Sequence, residues 1–295
     1  MYLILGEYGR IYSTKNICVY KKIAVPLQAI DIKTMDKGII LHSIVPVRSE
    51  ANEASEQVTQ LLFAETVEVI EEQPSWIRIK NDADAQEGWV DFKMLTRLSQ
   101  SECEKFAKCS KIARVKMPMA YAVSENNSQT IPLTAGTCLP DYKDGRFELL
   151  GVGFLIDPGM VAQSPLELNP TNMMNTVRFF LNIPYLWGGK NAMGMDCSGF
   201  SQIVHSLFGH NLLRNASEQA QQGMVVTSFD EVQVGDLAFF DHNDGKISHV
   251  GIILDKERII HCSGRIKVEK LDQTGIYSIE QGGTYTHHLV SIRRY

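Results

Sequence analysis

The sequence predicts an α+β protein in which two small β-barrels precede a mixed domain. Short alternating strands separated by turn residues run from Gly38 to about Leu98. Similar strand material, more weakly patterned, continues to about Pro165. Beyond Pro165 amphipathic helical segments come first and strands follow, the order of an α+β domain and not of a parallel α/β one. The expected parts are an N-terminal extension over 1–35, a first β domain over 36–98, a second over 99–166 and the mixed domain over 167–295. A chain of 295 residues exceeds the ~250 at which single cores stop growing, so several domains are expected.

Composition narrows the function classes. With 44% hydrophobic and 21% charged residues the chain is too apolar for a disordered protein. A balance of 29 Lys+Arg against 34 Asp+Glu excludes nucleic-acid binding through bulk attraction. Six cysteines do not make a disulfide scaffold. No apolar run approaches the ~18 residues of a membrane span, so neither a membrane nor a nucleic-acid partner is expected.

The start, MYLILGEYGRIYSTKN, has an apolar core too short for a signal peptide, interrupted by Gly6 and Glu7. Met35 stands just before a well-patterned segment. Residues 1–34 therefore read either as a disordered or misannotated extension or as an N-terminal strand or arm. A cytoplasmic location is expected, with a periplasmic or secreted one the alternative if the N-terminus is misannotated.

In the first β domain, strands are expected over Ile39–Val47, Thr66–Ile70, Trp76–Lys80 and Gly88–Val90, with Glu53–Leu62 polar and turn-like. Trp76 and Trp89 are expected in the barrel core. Next comes a helical patch at Ser101–Ala107, capped by Ser101 with Glu104 three residues on. The second β domain has strand candidates at 113–116, 120–123, 136–139, 146–150 and 153–156. In the mixed domain, Asn172–Asn182, Gly199–Phe208 and Ala216–Gln222 read as helices. Strands are expected at 237–241, 249–254, 258–262, 267–270 and 288–293.

The chemistry concentrates at Asp196-Cys197-Ser198-Gly199-Phe200. A cysteine between a polar loop and an apolar helix occupies the helix N-terminus, where unpaired N–H groups and the helix dipole favour the thiolate. His249 begins one strand and His261 ends the next. On adjacent antiparallel strands the two can lie side by side, one facing the thiol as base and the other holding its tautomer.

These residues carry a resemblance. Tyr185-Leu-Trp187-Gly-Gly, Asp196-Cys-Ser-Gly-Phe, Leu213-Arg214-Asn-Ala-Ser217, Val234-Gly-Asp-Leu, Ile247-Ser-His249-Val-Gly-Ile and Ile260-His261-Cys-Ser follow the order seen in NlpC/P60 cysteine peptidases. Upstream, "VPVRSE", "LLFAETVEVIEEQPSWIRIK" and "EGWVD" resemble a bacterial SH3 domain. The resemblance implies a papain-like α+β catalytic domain preceded by two SH3-like barrels, as in γ-D-glutamyl–diamino acid endopeptidases of the dipeptidyl-peptidase VI type. Their substrates are peptidoglycan-derived stem peptides, L-Ala-γ-D-Glu-diamino acid.

By that resemblance Cys197 is the nucleophile, His249 the base and His261 the orienting residue. Tyr185 sits beside the thiol and assists oxyanion binding. A free L-Ala ammonium needs an anion to offset its desolvation, for which Asp196 and Glu65 are the candidates. Ser198 and Ser217 are candidate donors to the peptide backbone, and Trp187 is either core or pocket wall. Gln86 and Glu87 stand where the family tends to have a tyrosine, and Leu213 where it tends to have proline. No metal or cofactor is implied, and a monomer is expected.

Other residues have plainer readings. Cys18, Cys103, Cys109, Cys138 and Cys262 read as buried, inert cysteines. A zinc site built from Cys197, His249 and His261 lacks paired close ligands and a fourth residue. His205 and His210 read as surface or capping residues, and Asp236 as fixing a turn. A cell-wall-targeted endopeptidase acting on intact peptidoglycan, with the SH3 domains as binding modules, is the alternative function. An acyltransferase or lipid-handling role would want a membrane-facing segment that is not evident.

Overall fold

In a computed structural model, residues 36–108, 112–242 and 244–295 are described. The alternatives for residues 1–34, and the expectations for Cys18 and Cys109, lie outside the described residues. The three parts below belong to one compact unit, Met35–Tyr295.

The first part holds β1 (Lys37–Ile39), β2 (Ile44–Arg48), β3 (Gln57–Leu62), β4 (Thr66–Glu72), β5 (Trp76–Asn81), β6 (Glu87–Asp91) and β7 (Thr96–Arg97). They form one antiparallel sheet in the order β3-β2-β6-β5-β4-β1-β7. Period-two alternation turns Val45, Val47, Ile77, Ile79 and Val90 into its core. Trp76 and Trp89 are only half-buried and stand outside that core, contrary to expectation. The stretch expected to be turn-like contains β3. Its Thr59 and Gln60 are buried because they face the mixed domain instead of solvent.

Helix α1 (Gln100–Lys108) follows. Its cap is Ser99, not Ser101. The Ser99 amide donates to the Glu102 carboxylate at 2.7 Å and the Glu102 amide donates to the Ser99 hydroxyl at 3.4 Å, a reciprocal capping box.

The second part holds β8 (Ile112–Val115), β9 (Met119–Ser124), β10 (Thr130–Thr134), β11 (Cys138–Pro140), β12 (Arg146–Leu149), β13 (Val152–Ile156) and β14 (Val161–Ala162). Where a second barrel is expected, these strands make two sheets, β10-β9-β13-β12 and β11-β8-β14, around one core. Phe63 of the first part enters that core. It meets Phe147 and Phe154 edge-on at 6.2 and 5.7 Å, while those two rings stack at 5.0 Å. Such pairs contribute about 0.5–1.5 kcal/mol each beyond area burial, so the two β parts are packed as one.

The mixed domain begins with α2 (Pro170–Val177), whose N-cap Asn169 accepts from the Asn172 amide at 2.9 Å. A short hairpin, β15 (Lys190–Asn191) and β16 (Gly194–Met195), leads into α3 (Cys197–Leu207) and α4 (Ala216–Gln219). Then come β17 (Met224–Val225), β18 (Leu237–Asp241), β19 (His249–Asp255), β20 (Arg258–Ser263), β21 (Arg265–Leu271), β22 (Gly275–Ser278) and β23 (Thr284–Arg294). Strand β23 pairs with β18 and also with β22, which closes the sheet into a barrel. Val250, Ile252, Ile260 and Cys262 face the helices, and the alternate residues Ile253 and Ile259 pack with Phe240 and Ile276 on the opposite face. Leu62 and Ala135, from the two β parts, complete the helix-side core.

Candidate active site

The site forms where the N-terminus of α3 meets the start of β19. Asp196 is the N-cap: its carboxylate accepts from the Gly199 amide at 2.7 Å, which starts the helix at Cys197. Gly199 has no side chain because a Cβ there would come within 2.3 Å of the Gly189 carbonyl oxygen. That contact seats the helix against the loop carrying Tyr185 and Trp187. The Cys197 sulfur receives the amide hydrogens of Val250 and Ser198. The thiol therefore reaches the residue that follows His249.

Burial pushes the Cys197 thiol up to about 12, and Asp196 beside it acts in the same direction; the two amides and Arg214 only partly offset this. The side chain is 6% exposed. Desolvation thus outweighs the helix-terminus effect that alone would favour a thiolate. His249 is held well below its usual value by burial first, then by the neighbouring His261 and His287. The resting pair is therefore a thiol and a neutral imidazole.

Strand register brings the histidines together. Gly251, two residues beyond His249 and on the same face, pairs with His261. A Cβ on Gly251 would lie 2.9 Å from that of His261, so the glycine opens the space in which the imidazoles meet. His249 Nε2 lies 2.9 Å from His261 Nδ1. His261 Nε2 lies 2.8 Å from a Glu269 oxygen, to which Lys267 also donates at 3.1 Å. His287 packs on the His249 ring with centroids 4.3 Å apart at 31°. Among the described residues, no group of three or more His, Cys, Asp or Glu is arranged to hold a metal ion.

The remaining candidates divide. Tyr185 is half-buried on the helix-side core, and burial followed by Cys197 and Asp196 raises its hydroxyl above the usual value. Trp187 is 60% exposed and so is not core; its indole donates to Glu56 at 2.6 Å. Asp196 is buried and already paired: both guanidinium ends of Arg214, the Gly188 and Gly199 amides and the Ser198 hydroxyl donate to it. The Ser198 hydroxyl in turn accepts from Arg214 at 2.8 Å. Ser217 is exposed on α4. Glu65 pairs with Lys190 at 3.1 Å in a cavity lined also by Asp84, Arg114 and Gln202, where the three parts of the chain meet. Cys197, His249, His261 and Tyr185 do not line that cavity. Gln86 accepts from Asn215 at 3.3 Å, whereas Glu87 turns to Arg78 at 2.9 Å.

Glu56, Arg214, Glu269 and His287 belong to this neighbourhood without having been assigned a role from the sequence. The first two touch the Trp187 loop and Asp196, the last two the histidine pair. Arg214 had a signal, lying inside a matched motif; the others read as ordinary strand and loop residues.

Comparison with known proteins now decides the assignment. Residues 182–293 match the NlpC/P60 family and residues 44–96 the bacterial SH3 domain. A gamma-D-glutamyl-L-lysine dipeptidyl-peptidase of Bacillus subtilis (strain 168) is 30% identical over 217 residues, which cover 69% of this chain and 71% of that protein. The chain belongs to the NlpC/P60 family. It is a cysteine-type peptidase with an SH3-type domain upstream. A Bacillus cereus (strain ATCC 10987 / NRS 248) relative of the same name is 25% identical over 228 residues, covering 70% of this chain and 68% of that one. The fold is shared with an NlpC/P60 family protein from Bacillus cereus ATCC 10987, at a TM-score of 0.73, 20% identity and coverage of 88% and 99%. An NlpC/P60 endopeptidase from Photobacterium damselae subsp. piscicida aligns at a TM-score of 0.65 and 16% identity, over 87% of this chain and 70% of that one. In this NlpC/P60 chain the SH3 match covers the first β part alone, so one SH3-type domain is established and not two.

Proposed function

We propose that this NlpC/P60 peptidase cleaves the bond between γ-D-glutamate and a diamino acid in peptidoglycan-derived peptides with a free N-terminal L-Ala. The reading rests on the Bacillus subtilis relative named for that bond. The contacts of the SH3-type domain with the loop before Cys197 support it. Glu56 and Gln57 of the SH3-type domain hold Trp187 through its indole at 2.6 Å and its carbonyl at 3.1 Å. Those bonds tie the SH3-type domain to the loop that packs on the N-terminus of α3.

In this reading Cys197 is the nucleophile. Neutral His249 takes the thiol proton as sulfur attacks the γ-glutamyl carbonyl, and the Cys197 amide and Tyr185 hydroxyl donate to the oxyanion. His249 returns the proton to the leaving amine, and water then hydrolyses the thioester. The L-Ala ammonium is met by the carboxylates bonded to the Trp187–Gly188 loop, Glu56 and Asp196, the latter shared with Arg214. Glu65 is bound to Lys190 and takes no part. The second β part is an SH3-like module that braces the first, and a free N-terminus as substrate fits a role in muropeptide recycling.

Mass spectrometry of products from L-Ala-γ-D-Glu-L-Lys and its meso-diaminopimelate counterpart tests this. The expected product is L-Ala-γ-D-Glu, absent with Cys197→Ala and with N-acetylated substrate. Cleavage of the acetylated peptide, or of intact sacculi in preference to soluble peptides, would replace the reading with that of a cell-wall endopeptidase.

A further inference from the structure

Behind the two histidines lies a carboxylate that the proposed chemistry does not use. Glu269 sits on β21, on the same face as Lys267, which pairs with His261 across the sheet. One Glu269 oxygen takes both the His261 ring nitrogen at 2.8 Å and the Lys267 ammonium at 3.1 Å. The Lys267 and His261 side chains are buried. We infer that Glu269 is a positioning residue that sets the tautomers of His261 and His249 and so leaves the reactive nitrogen of His249 free of a proton.

Burial pushes the Glu269 carboxyl up, but hydrogen bonds from His261, Ser278 and Lys267 outweigh it and bring the group down to about 2. It is therefore a carboxylate, which can only accept. His261 Nε2 must carry a hydrogen. Burial holds His261 below its usual value, so at neutral pH the ring has a single N–H, and its Nδ1 presents a lone pair. That lone pair accepts from His249 Nε2 across the 2.9 Å contact. The one hydrogen of neutral His249 is thereby placed on Nε2, and Nδ1 is left as the base. With the His261 hydrogen on Nδ1, the same contact would run backwards and put the His249 hydrogen on the nitrogen that must accept from the thiol.

The charged and titratable groups around Glu269 agree with this role. Lys267 holds it ionised, and Lys267 itself reaches Glu280 at 3.5 Å. Arg265, paired with Glu280, and His287 from β23 also sense its charge. When His249 becomes an imidazolium during turnover, the His261 lone pair still faces it, and the carboxylate stabilises the cation through His261.

The assignment rests on His249 being the base, and the experiment separates the two claims. Ring nitrogen-15 shifts report tautomers without substrate, whereas kcat and KM on L-Ala-γ-D-Glu-L-Lys report the chemistry. Both histidines are expected in the Nε2–H form in the wild type; a His261 carrying its hydrogen on Nδ1 overturns the inference outright. In Glu269→Leu combined with Lys267→Met, which leaves no buried unpaired charge, mixed tautomers are expected. There kcat should fall on the order of 10–100-fold with little change in KM. Glu269→Asp should recover part of both signals. Wild-type tautomers and wild-type kcat in the folded double variant would overturn the inference. If the wild type leaves the peptide uncut while the tautomers behave as expected, the substrate reading fails and the positioning role stands.

Discussion

At the scale of single residues, environment decides chemistry more than residue type does. Cys197 sits where a helix terminus favours the thiolate, yet its burial and the Asp196 charge bring its thiol to about 12. In the proposed reaction, activation then comes from proton transfer to His249 during attack, not from a standing ion pair. Alkylation of Cys197 by iodoacetamide, followed peptide by peptide in a mass spectrometer, should accelerate steadily above pH 8 with no plateau at lower pH. An inflection below pH 7 would show a preformed thiolate. His205 makes the same point: read as a surface or capping residue, it is 1% exposed and bonded to the Gly235 carbonyl at 2.9 Å.

At the scale of elements, the start of α3 depends on one buried ion pair. Asp196 caps the helix and neutralises Arg214, whose Nε also donates to Thr59 of the SH3-type domain at 2.7 Å. Removing one partner of such a pair costs about 3–5 kcal/mol because the other charge stays buried alone. Asp196→Asn is therefore expected to lower the urea-unfolding free energy by that order while keeping a cap. Asp196→Asn with Arg214→Met should recover part of it, and full additivity of the two changes would contradict the coupling. Strand β3 shows how context assigns an element. Gln57, Thr59 and Gln60 look like turn residues, but the Gln60 side-chain Oε1 accepts from the Lys190 amide and the Asn191 side chain, both at 2.8 Å.

At the scale of the whole molecule, the β parts and the peptidase domain share their packing, since Leu62 and Ala135 lie in the catalytic core and Phe63 in that of the second β part. The described residues include no helix long and apolar enough to cross a membrane. Acid stability should follow the buried histidines. Burial lowers His205 and His287 from 6.5 to about 4, and His249 and His261 also lie below 6.5. The unfolded chain binds these protons near pH 6.5, whereas the folded chain binds those of His205 and His287 only near 4 and those of His249 and His261 below 6.5. Their contribution is thus complete above pH 6.5 and lost as pH falls towards 4. Glu269, lowered from 4.5 to about 2, adds a loss that begins below pH 4.5. Calorimetry should find Tm nearly level above pH 7 and falling steeply from 6.5 to 4, with a shallower fall for His205→Gln. A flat Tm across that window would contradict the histidine account.

What the sequence by itself determined was local: the α+β order, the Asp196-Cys197 helix start and the strands bearing His249 and His261. Each rests on periodicity, capping or neighbours in the chain, which need no knowledge of the partner surface. The tertiary structure alone decided what meets across distance. It turned polar β3 inward, left Trp76 and Trp89 at the edge of their core, grouped Glu65 with Lys190 instead of the thiol, and set Glu269 behind His261. Those outcomes depend on which surfaces are desolvated together. An alternating Lys-Val-Glu-Lys strand has the same pattern whether its carboxylate faces water or a buried imidazole.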